Sequence, residues 1–456
     1  MLRRSLRNTT ISAALGVAAV AAGACTQSPA PRSSGSRPNV LIIVTDDQRI
    51  GSFAVMPQTR RYFFGGGTNF KQAFVTTPLC CPSRSSIFSG LYAHNHGVVN
   101  NGPGLAENLD QHLLIQHYLH RAGYRTGLFG KYLNKWKTTQ APPNFDDYSF
   151  FSKGEPYYRG HWNHNGHLVS PHAYSTTYVR QLGERFLRSA EDHDAQPWFL
   201  YLATAAPHGP STPEKKYRNA PVPYWKGEPA VFEKNRSDKP PYVRQDHAGI
   251  VRGRHVRRRQ LRSLRSVDDL VGSVMRLLQQ LGERNTLVFF ISDNGVTWGD
   301  HGLRGKIVPY TPSIEVPMMM RWPGHVAAGR TDRQLVANID IAPTIMDATH
   351  LTPDHPMDGR SLLHPLHRKS ILTEYTLMPK YNVPTWASIR TKTSQYIEDY
   401  NRAGTKVRFR EYYNLKTDPY QLTNLLADGN PSNDPNVKAL SRRLAQERTC
   451  AGGDCP

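Results

Sequence analysis

Cysteine is scarce in this sequence: five in 456 residues, too few for cross-links to stand in for a hydrophobic core in a chain this long. Long apolar runs are equally few. After residue 24 no stretch is long enough to span a bilayer, which excludes a multi-span membrane protein. No internal repeat recurs, so a solenoid or array is excluded. Acidic side chains are outnumbered, 36 against 57 lysines and arginines, for a net charge of +21. A field of that sign draws in polyanions. No recognised nucleic-acid reading module accompanies it, so nucleic acid is not an expected partner, and a sulfated glycan is the more natural polyanion. With 38% hydrophobic residues the chain has the means to bury a large core, most simply as one big domain plus a smaller one.

Residues 1–24 carry Arg3, Arg4 and Arg7, then an apolar run from Ile11 to Ala22, then Gly23-Ala24 before Cys25. That is the pattern of an export signal, too short for a spanning helix. Cys25 resembles the lipid acceptor of bacterial lipoproteins, with Ala22 where Leu is commoner, so lipidation at Cys25 and ordinary signal cleavage both stand open. Arg3-Arg4 fits the twin-arginine route and a plain charged leader equally. Residues 25–37, rich in Ser, Pro and Arg, read as a tether. The expectation is an exported bacterial protein, held at the cell surface by lipid or secreted.

Asn39 to Val44 is a continuous apolar run of strand length, as a central parallel strand buried on both faces would be. A helical pattern from Glu107 to Ala122 leads into a strand over Gly123 to Phe129. Trp198 to Ala203 and Thr286 to Ile291 are further strands, the latter after a long helix carrying Arg252, Arg254, Arg257, Arg258, Arg259, Arg262 and Arg265 beside Leu261, Leu264, Val267, Val271, Val274 and Leu278. Its arginines are expected on a solvated basic face. Alternation of strands and helices predicts an α/β fold, a large mixed, mostly parallel sheet sandwiched by helices, over residues 38–365. From residue 366 onward, Ile371 to Tyr375, Trp386 to Arg390, Gln395 to Ile397 and Val407 to Tyr413 read as a small antiparallel sheet closed by a helix over Val437 to Glu447.

The most informative stretch is Pro78-Leu79-Cys80-Cys81-Pro82-Ser83-Arg84, continuing to Gly90. Alone, Cys-Cys-Pro reads as a helix start with two buried thiols. The full Cys-x-Pro-Ser-Arg pattern resembles the signature of type I sulfatases, formylglycine-dependent members of the alkaline phosphatase superfamily. The resemblance implies that Cys80 is oxidised by a formylglycine-generating enzyme, that the hydrated aldehyde is the nucleophile, and that Arg84 steadies it. The same resemblance implies a calcium site, Mg²⁺ being the alternative, from Asp46-Asp47 and Asp293-Asn294. Both pairs follow predicted strands and so face the crevice at the strands' carboxyl ends. Three carboxylates and an amide oxygen form a hard-donor set. Lys131, in Gly127-Leu128-Phe129-Gly130-Lys131-Tyr132-Leu133-Asn134, matches the second sulfatase signature; Leu133 stands where many members have His.

His208 in Pro207-His208-Gly209 and Lys306 in Gly305-Lys306 match the family's sulfate-binding and leaving-group positions, and the role of general acid stays open between them. His301 and Arg304 are candidates for the substrate side, with solvated loop charge as the equal alternative. Tyr310-Thr311 and Glu315-Val316-Pro317 depart from the family pattern of an acid after Tyr and a base before Val-Pro. The Lys-Tyr-Leu-Asn wording, with His94 and His96 as supporting residues, is closest to N-acetylglucosamine-6-sulfatases and the heparan endosulfatases. Cys450 and Cys455 are expected to pair. The resemblance implies removal of sulfate from a sulfated glycan or amino sugar. Two alternatives stand beside it: a phosphomonoester or phosphonate hydrolase of the same superfamily, and a polyanion-binding surface lipoprotein in which Cys80 remains a thiol.

Overall fold

A computed structural model describes Met1, Leu2 and residues 37–456 apart from positions 153, 155 and 194. The expected leader after Leu2, Cys25 and nearly all of the tether lie outside these described residues. No helix among them is long and apolar enough to cross a membrane.

The central sheet has ten strands. In chain order they are β1 (Asn39–Thr45), β2 (Thr68–Phe74), β3 (Arg125–Lys131), β4 (Asp147–Phe151), β5 (Trp162–His164), β6 (His167–Val169), β7 (Trp198–Ala203) and β8 (Thr286–Ser292). A short ribbon of β9 (Thr297–Trp298) and β10 (Arg304–Gly305) intervenes before β11 (Met318–Arg321) and β12 (Arg330–Ala337). The spatial order is β12-β2-β11-β8-β1-β7-β3-β4-β5-β6. β1 sits in the middle, parallel to both β7 and β8. β11 is antiparallel to its neighbours β2 and β8.

The apolar run of β1 explains its place. Every residue from Asn39 to Thr45 is buried, and alternate side chains feed two cores. Val40, Ile42 and Val44 join Ile87, Phe88, Ile115 and Ile345 on one face. Leu41 and Ile43 meet Val179, Phe186, Leu261, Leu264 and Val267 on the other. Helices Cys80–Ser89, Ile115–Arg121 and Ile341–Ala348 therefore cover one side, Ser175–Glu191 and Ile250–Gln280 the other. A second, four-stranded antiparallel sheet, β13 (Ile371–Tyr375), β14 (Trp386–Arg390), β15 (Ser394–Tyr400) and β16 (Val407–Asn414), carries the helix Val437–Glu447. A disulfide joins Cys450 to Cys455.

Two expectations need correction. The helix expected from Glu107 is only Ile115–Arg121, preceded by a short 3-10 turn over Gln111–Leu113. The Asp110 side chain accepts from the His112 amide at 2.9 Å, a local bond that competes with helix, and Leu114 is extended. The second correction concerns the basic helix. Its arginines are not, as a set, a solvated face. Arg254, Arg257, Arg259, Arg262 and Arg265 donate to the backbone carbonyls of Trp225, Pro223, Pro210, Ala220 and Pro221, at 2.7 to 3.1 Å. That segment is proline-rich and forms no ladder, so its carbonyls need outside donors. Arg252 and Arg258 remain exposed.

Candidate active site

The register of the sheet builds the site. Thr45 of β1 lies beside Ser292 of β8, so the residues that follow, Asp46-Asp47 and Asp293-Asn294, emerge side by side at the carboxyl end of the sheet. Asp47 adopts a left-handed backbone conformation (φ 63°), which Asp tolerates better than most residues. Its amide donates to Asp293 Oδ1 at 3.2 Å. Asn294 Nδ2 donates to Asp47 Oδ1 at 2.6 Å. Lys131 is the last residue of β3 rather than the first after it. Gly130 before it has φ 112°, and a Cβ there would lie 1.7 Å from the Ala203 carbonyl oxygen, so only glycine lets β3 and β7 close up beneath the lysine.

Cys80 is the first residue of its helix, after an extended Leu79. The helix stops cleanly at Gly90 (φ 72°), whose amide donates to the Ser86 carbonyl. Arg84 follows Cys80 by one turn. Its Nε and Nη2 reach Asp293 Oδ2 at 2.9 and 2.8 Å, and Nη1 donates to the Lys131 carbonyl at 3.1 Å. Lys131 Nζ meets Asp46 Oδ2 at 2.5 Å. Asp46 Oδ1 is 3.6 Å from Cys80 Sγ. Lys306 Nζ donates to Cys80 Sγ at 2.8 Å, contacts Asn294 Oδ1 at 3.2 Å and pairs with Asp47 Oδ1. His208 Nε2 lies 3.6 Å from Asp47 Oδ2, while its Nδ1 faces the Gly209 carbonyl at 2.7 Å. All nine positions singled out for metal and catalysis thus converge.

Burial and charge set the protonation states. Burial would raise the Asp46 carboxyl, but Lys131, His208 and Arg84 outweigh it and bring it down to about 2. Asp47 is likewise raised by burial and more strongly lowered by Lys306 and His208, ending below the usual carboxylate range. Burial would lower the Lys306 ammonium; Asp47, Cys80, Asp46 and Asp293 hold it well above its usual value instead. The Cys80 thiol is pushed up by burial beyond what Lys131 and Lys306 offset. An unmodified thiol here would stay protonated and be a poor nucleophile.

The donor set fits a divalent cation. Ligand atoms of Asp46, Asp47, Cys80 and His208 lie within 4.8 Å of one another, and Asp293 and Asn294 adjoin Asp47. A cationic group, the Lys306 ammonium, already contacts Asp47, Asn294 and Cys80 together. Such a carboxylate and amide oxygen cluster is what hard cations require.

The site opens into a cavity of about 550 Å³ whose lining includes Asp47, His208, Lys306, Arg304, Arg252 and Tyr381. Arg304 therefore stands where a substrate-side residue would, whereas His301 does not. The His301 ring is buried against Glu233 Oε2 at 2.7 Å and packs at a tilt against the Tyr310 ring, and it borders a different cavity beside Arg49 and Asp300. Glu315 lies 4.0 Å from Arg390 and is not among the residues lining the cleft. His94 pairs with Glu374 at 2.9 Å and His96 with the Ser86 hydroxyl at 3.1 Å, both as props of the Cys80 helix and the second sheet.

One supporting residue carries no signal in the sequence. Gln260, inside the arginine-rich helix, donates to the Asp47 carbonyl at 3.2 Å and accepts from the Trp298 indole at 2.7 Å.

Known proteins place this geometry. The family described as Sulfatase matches residues 38–351, and N-sulphoglucosamine sulphohydrolase, C-terminal, matches residues 299–450. The chain belongs to the sulfatase family. It is 30% identical over 501 residues to human N-acetylglucosamine-6-sulfatase, covering 97% of this chain and 88% of the relative. It is 34% identical over 360 residues to the extracellular sulfatase SULF-1 homolog of Drosophila melanogaster, covering 72% of this chain. The match spans only 31% of that relative's length. Among solved structures, a protein in complex with its substrate D-glucosamine-2-N,6-O-disulfate shares the fold with a TM-score of 0.80 at 21% identity, over 91% of this chain and 98% of that one. Phosphonate monoester hydrolase from Silicibacter pomeroyi shares it with a TM-score of 0.71 at 21% identity, over 90% and 95%.

Proposed function

We propose that this protein is an exported sulfuric ester hydrolase that removes sulfate from a sulfated glycan or amino sugar, in the manner of N-acetylglucosamine-6-sulfatases. The observation that carries the reading is the position of the buried Cys80 Sγ, with Asp46 at 3.6 Å and, at 2.8 Å, the Nζ of Lys306, a residue that lines the cleft. Sγ stands where one hydroxyl oxygen of a hydrated aldehyde would lie. Matured to formylglycine by a dedicated enzyme, residue 80 supplies a hydroxyl to attack sulfur and a second whose deprotonation expels the sulfate. Asp46, Asp47, Asp293 and Asn294 would hold Ca²⁺ in preference to Mg²⁺, which supplies charge neutralisation at the sulfate oxygens.

The chain's own groups do the rest. Arg84 is locked on Asp293 and the Lys131 carbonyl, so it keeps the carboxylate cluster fixed beneath the nucleophile. Lys131 orients Asp46. Lys306 steadies the attacking atom and faces the sulfate. Its ammonium is already engaged by Cys80 Sγ and Asn294 Oδ1. His208, partly open to the cleft beside Asp47, is therefore the group that hands a proton to the departing alcohol, a task imidazoles suit near neutrality. Residues 38–365 would form the catalytic domain and 366–456 a smaller one, with Cys25 as a lipid anchor.

The test combines mass and turnover. Peptide mass spectrometry across residue 80, on protein matured in its native host, is expected to find the aldehyde. The same protein is expected to release sulfate from N-acetylglucosamine 6-sulfate and to hydrolyse 4-nitrophenyl sulfate faster than 4-nitrophenyl phosphate. Faster phosphate turnover would favour a phosphomonoester hydrolase, and an intact thiol with no turnover would favour the binding lipoprotein.

A further inference from the structure

The cleft does not end at the site. A second cavity, about 740 Å³ and bordered by His247, Gly249, Val251 and His255, shares Arg252 and Arg304 with it. The two arginines come from distant segments brought together by backbone contact: the Ala248 amide donates to the Gly302 carbonyl at 2.6 Å. Gly299, in a left-handed conformation, lies against the Gly249 backbone, where an added Cβ would sit 3.1 Å from its carbonyl oxygen. This joins the start of the Ile250–Gln280 helix to the β9–β10 ribbon.

The chemistry of this outer groove is specific. Arg304 is exposed, but Asp246 fixes it: Nε lies 3.1 Å from Asp246 Oδ1, and the Arg304 amide donates to Asp246 Oδ2 at 2.9 Å. The guanidinium is thus anchored through Nε on a side chain that remains 57% exposed. Arg252 is exposed, in contrast to Arg254, Arg257, Arg259, Arg262 and Arg265 on the same helix, which are spent on backbone carbonyls. Val251 borders the same groove and presents an apolar surface, 81% exposed. Two guanidiniums and an exposed apolar side chain lining one groove suit a sugar ring whose C–H face is apolar and whose substituents are anionic.

The geometry points to Arg252 and Arg304 as an outer subsite that binds a second anionic group, a sulfate or carboxylate on the sugar next to the one being desulfated. This rests on the sulfatase reading and deepens it: an anionic oligosaccharide is the preferred substrate over a lone monosaccharide. The 550 Å³ inner cavity holds the reacting sugar, and the 740 Å³ groove beyond Arg252 and Arg304 receives its neighbour.

Mature enzyme and its Arg252→Ala, Arg304→Ala and doubly substituted variants are to be compared on 4-nitrophenyl sulfate and on a sulfated tetrasaccharide prepared from heparin. Each substitution is expected to lower the ratio of tetrasaccharide to aryl-sulfate kcat/KM by about tenfold, through KM, and to flatten its salt dependence. Arg252→Lys is expected to restore most of the ratio. An unchanged ratio overturns the subsite. If wild type cleaves neither ester, the sulfatase reading fails by itself. The subsite is then judged by calorimetric binding of the same tetrasaccharide to wild type and the double variant, where equal affinities overturn it and a loss of about tenfold or more upholds it.

Discussion

Lys306 Nζ bridges Cys80 Sγ, at 2.8 Å, and the Asp47 carboxylate, whereas His208 approaches Asp47 at 3.6 Å from the more open side of the cleft. The two residues therefore divide the labour, and leaving-group dependence separates them. His208→Ala is expected to slow a sugar sulfate, whose alcohol needs a proton, by ~10²–10⁴-fold, and 4-nitrophenyl sulfate by far less. Lys306→Ala is expected to slow both, by ~10²–10³-fold, since steadying the attacking atom is needed whatever departs. Steady-state kinetics on the two substrates decides; a larger penalty for Lys306→Ala on the sugar than on the aryl ester would reverse the assignment.

Arg84 and Asp293 form a fully buried pair, with Nε and Nη2 both within 2.9 Å of Oδ2. Removing one member strands the other's charge in a fully buried place. Arg84→Ala is expected to cost ~3–5 kcal/mol of folding stability, read as a lower urea midpoint with an unchanged slope. A loss below about 1 kcal/mol, the range of surface pairs, would mean the carboxylate finds other partners.

Much of the fold and of the site is legible in the sequence alone. The buried apolar runs of β1, β7 and β8 announce themselves because a strand covered on both faces has no polar period to hide it. The acids following β1 and β8 are then obliged to meet. What is not legible has equally physical causes. β2 reads Thr-Asn-Phe-Lys-Gln-Ala-Phe, a mixed pattern with Lys71 exposed, and the four residues of β11 are too few to show a period. The arginines of the long helix look solvated in sequence because helical spacing shows which side they face, not what lies there. His301 sits five residues from Lys306, but its partner Glu233 is 68 residues away, a distance no local pattern spans.

The arginine contacts to the 210–225 segment carry their own prediction. Double substitution Arg257→Ala with Arg262→Ala removes donors to the Pro223 and Ala220 carbonyls, and nothing in that stretch supplies replacements. Limited trypsin digestion is expected to cut at Lys215, Lys216 or Arg218 at least about tenfold faster than in wild type. Arg258→Ala, on an exposed arginine of the same helix, is expected to leave the rate alone. Equal cutting in the double variant and wild type would show that the segment is held by its other contacts.

Glu315 supplies a pH dependence with a definite sign. Burial lifts its carboxyl from an ordinary 4.5 to about 7, against Arg390, Lys71 and Arg49. Arg390, 4.0 Å away, is itself brought down by burial to about 10. The folded pKa lies above the unfolded one, so this group's contribution is fully favourable below 4.5 and is lost as pH rises through 7. The loss is on the order of 3 kcal/mol. Glu315→Gln, which never ionises, is expected to match wild type in urea stability at pH values near about 5 and to exceed it near about 8.5. Equal stabilities at both values would place the carboxyl in its ordinary range.

Charge balance at the site makes a final prediction about metal and anion together. Asp46, Asp47 and Asp293 are matched one for one by Lys131, Lys306 and Arg84, so the side chains alone are close to neutral. A bound dication adds positive charge that these side chains do not cancel and a sulfate dianion does. Ca²⁺ and inorganic sulfate should therefore strengthen each other's binding, and by linkage the reinforcement is reciprocal. Thermal melting is expected to rise with about 1 mM Ca²⁺, to rise further with sulfate by more than the sum of the separate shifts, and to fall back with a chelator. Mg²⁺ should give less, because it demands a stricter octahedron than this cluster offers. Asp47→Asn should weaken both shifts, since Asp47 touches His208, Lys306 and Asn294 at once. Shifts that merely add would mean that the anion binds without sensing the cation, and the arrangement of this site around one neutralising ion would have to be abandoned.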